Sequence, residues 1–139
     1  MYSYQYPRAA LTVDAIVFTR KNNETFVLLI QRGQEPFKGK WALPGGFVNM
    51  DETLEEACKR ELLEETGLKT DAMKQFKAYD AIHRDPRHRT ISVVFSTEIN
   101  DTENVTGGDD AAQAEWFPVT ALPHLAFDHA LILEEFFSI

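Results

Sequence analysis

The stretch KRELLEETGL crowds three carboxylates together, with Glu61, Glu64 and Glu65 at i, i+3 and i+4 just ahead of Gly67. On a helix these positions are neighbours, and like charges there repel by roughly 0.2–0.5 kcal/mol per pair even when exposed. The negative end of the helix dipole adds roughly 0.3–1 kcal/mol against each nearby anion. A cation must compensate. Arg60 is best placed to reach Glu64 or an acid from outside the helix. A hard divalent ion would satisfy three converging carboxylates more fully, and an oxygen-only set favours Mg²⁺ or Mn²⁺ over zinc. On the residues alone, structural ion pairing and metal binding are equally good readings.

The helix carrying these acids has its own signals. Thr53 followed by Glu56 has the spacing of a capping box, and Gly67 is the expected residue just past the end. That predicts a helix of about fourteen residues. At roughly 100° per residue, Leu54, Ala57 and Cys58 share one arc with Glu61, Glu64 and Glu65, so the acids are expected to continue the buried stripe.

The remaining elements follow from alternation and punctuation. LTVDAIVF and TFVLLIQR read as strands joined through Asn22 and Asn23. WALPGGFV is extended but broken by Pro44, Gly45 and Gly46. KQFKAYDAI and RTISVVFSTEI read as a hairpin turning at HRDPRH around Pro86. AEWFP is a short strand, and FDHALILEEFF a closing helix entered and capped at Asp128. Strands with one central and one terminal helix predict an α/β fold with a mixed sheet covered on both faces.

Composition bounds the function. At 139 residues and 44% apolar, the chain makes one domain, residues 1–139, with a real core. Cys58 is the only cysteine and no basic-then-apolar leader is visible, so a reducing cytoplasm is expected. The early apolar run LTVDAIVF contains Asp14 and is far shorter than the roughly 20 residues that cross a bilayer. No membrane association is expected. A net charge of −8 argues against nonspecific nucleic-acid binding while leaving room for a small anion on a local cationic cluster.

Read outward from the acids, Gly46, five residues, Glu52, seven residues and then RELLEETGL resembles the Nudix box in every defined position, over the 23 residues from Gly46 to Leu68. The resemblance extends over essentially the whole chain. It implies an α/β/α sandwich and Mg²⁺- or Mn²⁺-dependent hydrolysis of a nucleoside diphosphate linked to another moiety. Carried over by position, it makes Glu61, Glu64 and Glu65 metal ligands, with the Gly45 carbonyl beside them. Glu52 and Arg60 become an ion pair stapling loop to helix, and Gly46 and Gly67 backbone requirements. One carboxylate must orient the attacking water or accept its proton. Glu64 ranks first, and Asp109, Asp110 and Glu115 near a later loop remain alternatives.

Substrate choice must lie outside the box. HRDPRHR gathers Arg84, Arg87 and Arg89 around one turn, which suits phosphate or ribose contacts and equally a solvated hairpin tip. With GDDAAQAEWFP and LPHLAFDHALIL, it resembles the ADP-ribose pyrophosphatase branch of the family, whose AFDH segment, here with Phe127 and Asp128, faces the ligand pocket. That branch implies ADP-ribose cleaved to AMP and ribose 5-phosphate, and a homodimer to which the arm Tyr2 to Tyr6 could contribute. Two alternatives stand beside it. One is a nucleoside triphosphate pyrophosphohydrolase clearing damaged nucleotides. The other is an ADP-ribose-sensing module without catalysis, which an intact box and a chain ending at Ile139 disfavour. Trp116 is expected in the core, Cys58 as a small buried hydrophobe, and none of the four histidines as a metal ligand.

Overall fold

The computed structural model describes residues 2–108 and 111–139. Its elements are β1 (Ala10–Lys21), β2 (Glu24–Arg32), β3 (Trp41–Ala42), β4 (Gly45–Phe47), α1 (Leu54–Thr66), β5 (Lys74–Tyr79), β6 (Thr90–Glu98), β7 (Ala111–Pro118) and α2 (His129–Phe137). The sheet runs β3-β2-β1-β6-β5, with β4 added to β1 and β7 to β2. β1 pairs in parallel with β6 and antiparallel with β2 and β4, so the sheet is mixed.

Alternation along the central strands assigns the two faces. Val13, Ala15 and Val17 of β1 pack with Leu28, Val93, Phe95 and the Ala57, Cys58 and Leu62 side of α1. Ile16 and Phe18 point the other way, with Val27, Leu29, Val94 and the Ile132 and Leu133 side of α2. With period-two side chains and a helix on each side, the strands read as continuous apolar runs. The result is the expected α/β/α sandwich. Cys58 is fully buried in the first core, and Trp116 packs at its edge with its indole N–H donated to the Glu103 carbonyl at 2.9 Å. No helix among the described residues is long and apolar enough to cross a membrane.

α1 begins and ends as its sequence requires. Thr53 and Glu56 make both bonds of the capping box, and Gly67 closes the helix in the left-handed region at φ 78°. The buried stripe differs from the expected arc, running through Ala57, Cys58, Leu62, Glu65 and Thr66. Its centre lies about 60° from Glu61 towards Leu62, which leaves Glu64 about 120° away. Glu64 is accordingly exposed, while Glu65 is buried.

Two further elements depart from expectation. β5 stops at Tyr79 rather than at Ile82, and residues 80–89 form a loop that returns to β6. α2 has Asp128 at its N-cap, yet the side chain makes no capping bond. Its carboxylate is taken by Arg84 instead.

Candidate active site

Glu61 and Glu65 of α1 border a cavity of about 310 Å³ whose walls also include Asp14, Arg32, Gly45, Gly46, Arg84, Asp85, Arg87, Phe127 and His129. α1 and the β3–β4 connection supply one wall, and the loop before β6 and the entry to α2 supply the other. Residues from positions 14 to 129 thus meet because β1 lies centrally, between β2 and β6.

Glycine is required where the β3–β4 connection meets α1. A Cβ on Gly46 would stand 2.5 Å from the Glu61 carboxyl carbon, and one on Gly45 would stand 2.1 Å from the Val13 carbonyl oxygen and 2.5 Å from Asp14 Oδ1. The close approach lets the Gly45 N–H donate to Glu65 Oε1 at 2.8 Å. Burial pushes the Glu65 carboxyl up to about 8; the Gly45 bond opposes the shift, and Glu61 and Asp14 add to it. This wall is short of positive charge.

Arg60 supplies part of it. Its guanidinium donates to both oxygens of Glu52 (3.0 and 2.7 Å) and to the Phe47 carbonyl (3.1 Å) on the loop side. On the helix side it reaches Glu61 at 2.8 Å and Glu64 at 3.1 Å. The Arg60 bonds hold the Glu52 carboxyl below its ordinary value. The arginine therefore sews the loop after β4 to α1 and balances two of the three acids.

Among the described residues, no group of three or more His, Cys, Asp or Glu side chains is close enough as arranged to hold a metal ion. Glu61 and Glu65 face the cavity, whereas Glu64 leans outward onto Arg60. The donor set nevertheless fits a hard divalent cation. It consists of oxygens only, burial raises one carboxyl well above its ordinary value, and backbone presses against the acids with no side chain between.

On the opposite wall the arginines divide. The Arg84 side chain is 4% exposed and gives two bonds, of 2.9 and 2.6 Å, to the Asp128 carboxylate. Arg84 and Asp128, expected as separate substrate contacts, thus spend their charges on each other, because the loop before β6 packs against the start of α2. Arg87 pairs with buried Asp85 at 2.8 Å, and its guanidinium also stands 5.6 Å from the Phe47 ring centre and 5.8 Å from that of Phe127. Burial raises the Asp85 carboxyl, but its Arg87 bonds outweigh burial and leave it below its usual value. Arg89 donates to the Asp80 carbonyl at 2.7 Å and does not line the cavity. Phe127 does, in the left-handed region at φ 53° with its ring edge-on to Phe37.

Of the alternative bases, Glu115 sits exposed in β7 opposite Leu29, away from the cavity, and Asp109 and Asp110 lie outside the described residues. Sequence reasoning passed over Asp14, Arg32, Asp85 and the contacts of His129. Asp14 has no spacing signal, since it meets Ser92 only across the β1–β6 pairing and His129 only where α2 begins beside it.

A sequence model of the NUDIX domain matches residues 9–137. An ADP-ribose pyrophosphatase of Methanocaldococcus jannaschii is 45% identical over 131 residues, covering 94% of this chain and 75% of that protein. The ADPR responsive transcriptional repressor NtrR of Acinetobacter baylyi is 35% identical over 96% of this chain, which spans only 55% of the repressor. Among solved structures, the NUDIX domain of Shewanella oneidensis NrtR complexed with ADP ribose is similar at TM-score 0.86 and 32% identity, over 96% of this chain and 89% of that one.

Proposed function

The chain belongs to the Nudix family, and from that premise we propose that it is a metal-dependent hydrolase cleaving the pyrophosphate of ADP-ribose to AMP and ribose 5-phosphate. The observation that carries this reading is one cavity with box carboxylates on one wall and Arg87 and Phe127 on the other. A pyrophosphate needs its charge neutralised at the bond that breaks and its ends held by cationic or aromatic groups. The 45% identical pyrophosphatase agrees with that substrate.

Glu61 and Glu65, with the Gly45 carbonyl and an inward-turned Glu64, would hold Mg²⁺ or Mn²⁺. Such an ion, when bound, shields phosphoryl oxygens and lowers the pKa of the attacking water. Glu64, exposed and paired with Arg60, is the group we assign to orient that water or take its proton. Arg60 keeps the loop after β4 on the helix through Glu52 as the acids reorganise. Arg87, fixed by Asp85, presents positive charge to the distal phosphate, while Phe127 shapes the same wall. We take residues 1–139 as one catalytic domain acting in a reducing cytoplasm as a homodimer, to which the exposed Tyr2, Tyr4 and Tyr6 contribute.

Product analysis over a nucleotide panel tests the reading. ADP-ribose should yield AMP and ribose 5-phosphate with Mg²⁺ and nothing in chelator. Faster pyrophosphate release from an oxidised purine triphosphate would move the assignment to nucleotide-pool clearance. Tight ADP-ribose binding without turnover would make the chain a sensor, a role consistent with the repressor relative.

A further inference from the structure

The run from β3 through the connection into Gly45 of β4 has its backbone N–H groups satisfied in an unusual succession. Trp41 donates to the His124 carbonyl at 3.0 Å, and the Trp41 carbonyl accepts from Ala126 at 2.8 Å. The segment before α2 thus runs alongside β3 as a short parallel bridge. Two residues on, the chain turns away into α2 and no backbone carbonyl remains for Leu43. The imidazole of His129 fills the gap, its Nδ1 accepting the Leu43 N–H at 3.0 Å. Pro44 has no N–H to satisfy, its carbonyl accepts from Ala15 at 2.8 Å, and Gly45 then donates to Glu65.

An Nδ1 that accepts leaves the proton of a neutral imidazole on Nε2. That nitrogen faces Asp14 Oδ1 at 3.6 Å. The other Asp14 oxygen accepts from Ser92 Oγ at 2.5 Å. Asp14 Oδ1 is also the atom a side chain at position 45 would strike. His129, Asp14 and Ser92 therefore form a buried polar floor directly beneath Leu43–Gly45. The floor joins α2, β1 and β6, and α1 holds the same connection from the opposite side through Glu65.

We propose that His129 is a positioning residue for the metal-binding wall: by replacing a missing backbone acceptor at Leu43, it sets the height of Pro44 and Gly45 against Glu61 and Glu65. The inference rests on the reading of that wall as a divalent-cation site. In this role His129 acts through the Leu43–Gly45 backbone and not as a ligand of the cation. Its loss lets the connection move while the acids themselves stay intact.

The test compares His129→Leu, which removes the acceptor, with His129→Asn, whose amide oxygen can occupy nearly the Nδ1 position. Hydrogen exchange of the Leu43 and Gly45 amides is followed in chelator, and Mg²⁺ affinity by calorimetry. His129→Leu should lose protection at both amides and roughly 10- to 100-fold in Mg²⁺ affinity, the usual range for outer-shell partners. At saturating Mg²⁺ its kcat should fall with little change in KM, and His129→Asn should recover most of each loss. Should His129→Leu fail to fold, His129→Gln, which holds its acceptor one bond further out, is expected to show the same losses. Wild-type exchange and Mg²⁺ affinity in a folded His129→Leu or His129→Gln overturn the proposal. A wild-type protein that binds no divalent cation overturns the metal reading and the proposal with it, whereas exchange in chelator reports on the Leu43 tether by itself.

Discussion

Arg60 and Arg84 stand on opposite walls of one cavity and use the same guanidinium chemistry to different ends. Arg60 divides its donors among Glu52, Glu61, Glu64 and the Phe47 carbonyl, and 28% of its side chain remains exposed. Arg84, 4% exposed, commits to Asp128 in a single two-pronged pair. The divided arginine can release two of its acids to a cation and stay attached through Glu52. The committed one cannot leave without abandoning a carboxylate in a largely dehydrated place. One wall is built to exchange partners and the other to stay fixed.

The comparison breaks most visibly at the exchanging wall. Glu64→Gln removes the assigned base, and turnover should fall by roughly 10²–10⁴-fold in a steady-state AMP assay. In chelator the variant should melt close to wild type, because the repulsion from Glu61 that it relieves offsets the exposed Arg60–Glu64 bond that it weakens. Undiminished turnover would exclude Glu64 from the chemistry.

The fixed wall should respond in stability rather than chemistry. Arg84→Ala strands Asp128 and is expected to lose about 3–5 kcal/mol, the range for breaking a buried pair from one side. A urea midpoint close to wild type would show that the pair is not the anchor it resembles. Arg60→Ala should cost less, about 1.5–3 kcal/mol, as charge-assisted bonds at a partly wet site do. That deficit should shrink when Mg²⁺ is added, since a cation takes over two of the acids. A deficit indifferent to Mg²⁺ would make Arg60 as fixed as Arg84.

A pH-dependent effect belongs to Glu65 in metal-free protein. Its folded carboxyl titrates at about 8, above the ordinary 4.5, so the native state holds a proton that the unfolded chain has released. This contribution to stability is fully present below pH 4.5 and is lost as pH rises through 8. The slope is at most about 1.4 kcal/mol per pH unit. Denaturant midpoints in chelator from pH 5 to 9 should fall accordingly, and Glu65→Gln should flatten the curve.

How much of this could be read beforehand depends on sequence separation. Thr53, Glu56 and Gly67 act on their own helix, so the caps follow from local spacing, whereas the Glu52–Arg60 staple was expected only from the resemblance to the Nudix box. The apolar runs of β1 and β2, punctuated at Asn22 and Asn23, announced the sheet. The Arg84–Asp128 pair spans 44 residues and the Asp14–Ser92 bond 78, and nothing local marks either. Asp128 illustrates the limit: its position before α2 suggested a cap, but Arg84 offered a full charge where the helix offered only N–H groups. Glu64 shows a different one. Periodicity located the acids on the helix, yet which side of the stripe met the sheet depended on Leu62 and Thr66.

The account's central claim is that the acids of α1 exchange Arg60 for a divalent cation while Glu52 keeps hold of it. Anomalous scattering from crystals soaked in Mn²⁺ tests this directly. The predicted result is a peak within ligating distance of Glu61, Glu65 and the Gly45 carbonyl, with Glu64 turned inward and Arg60 still paired to Glu52. Occupied Mn²⁺ elsewhere in the molecule, or none at concentrations that support turnover, with Arg60 still on Glu61 and Glu64, would contradict it.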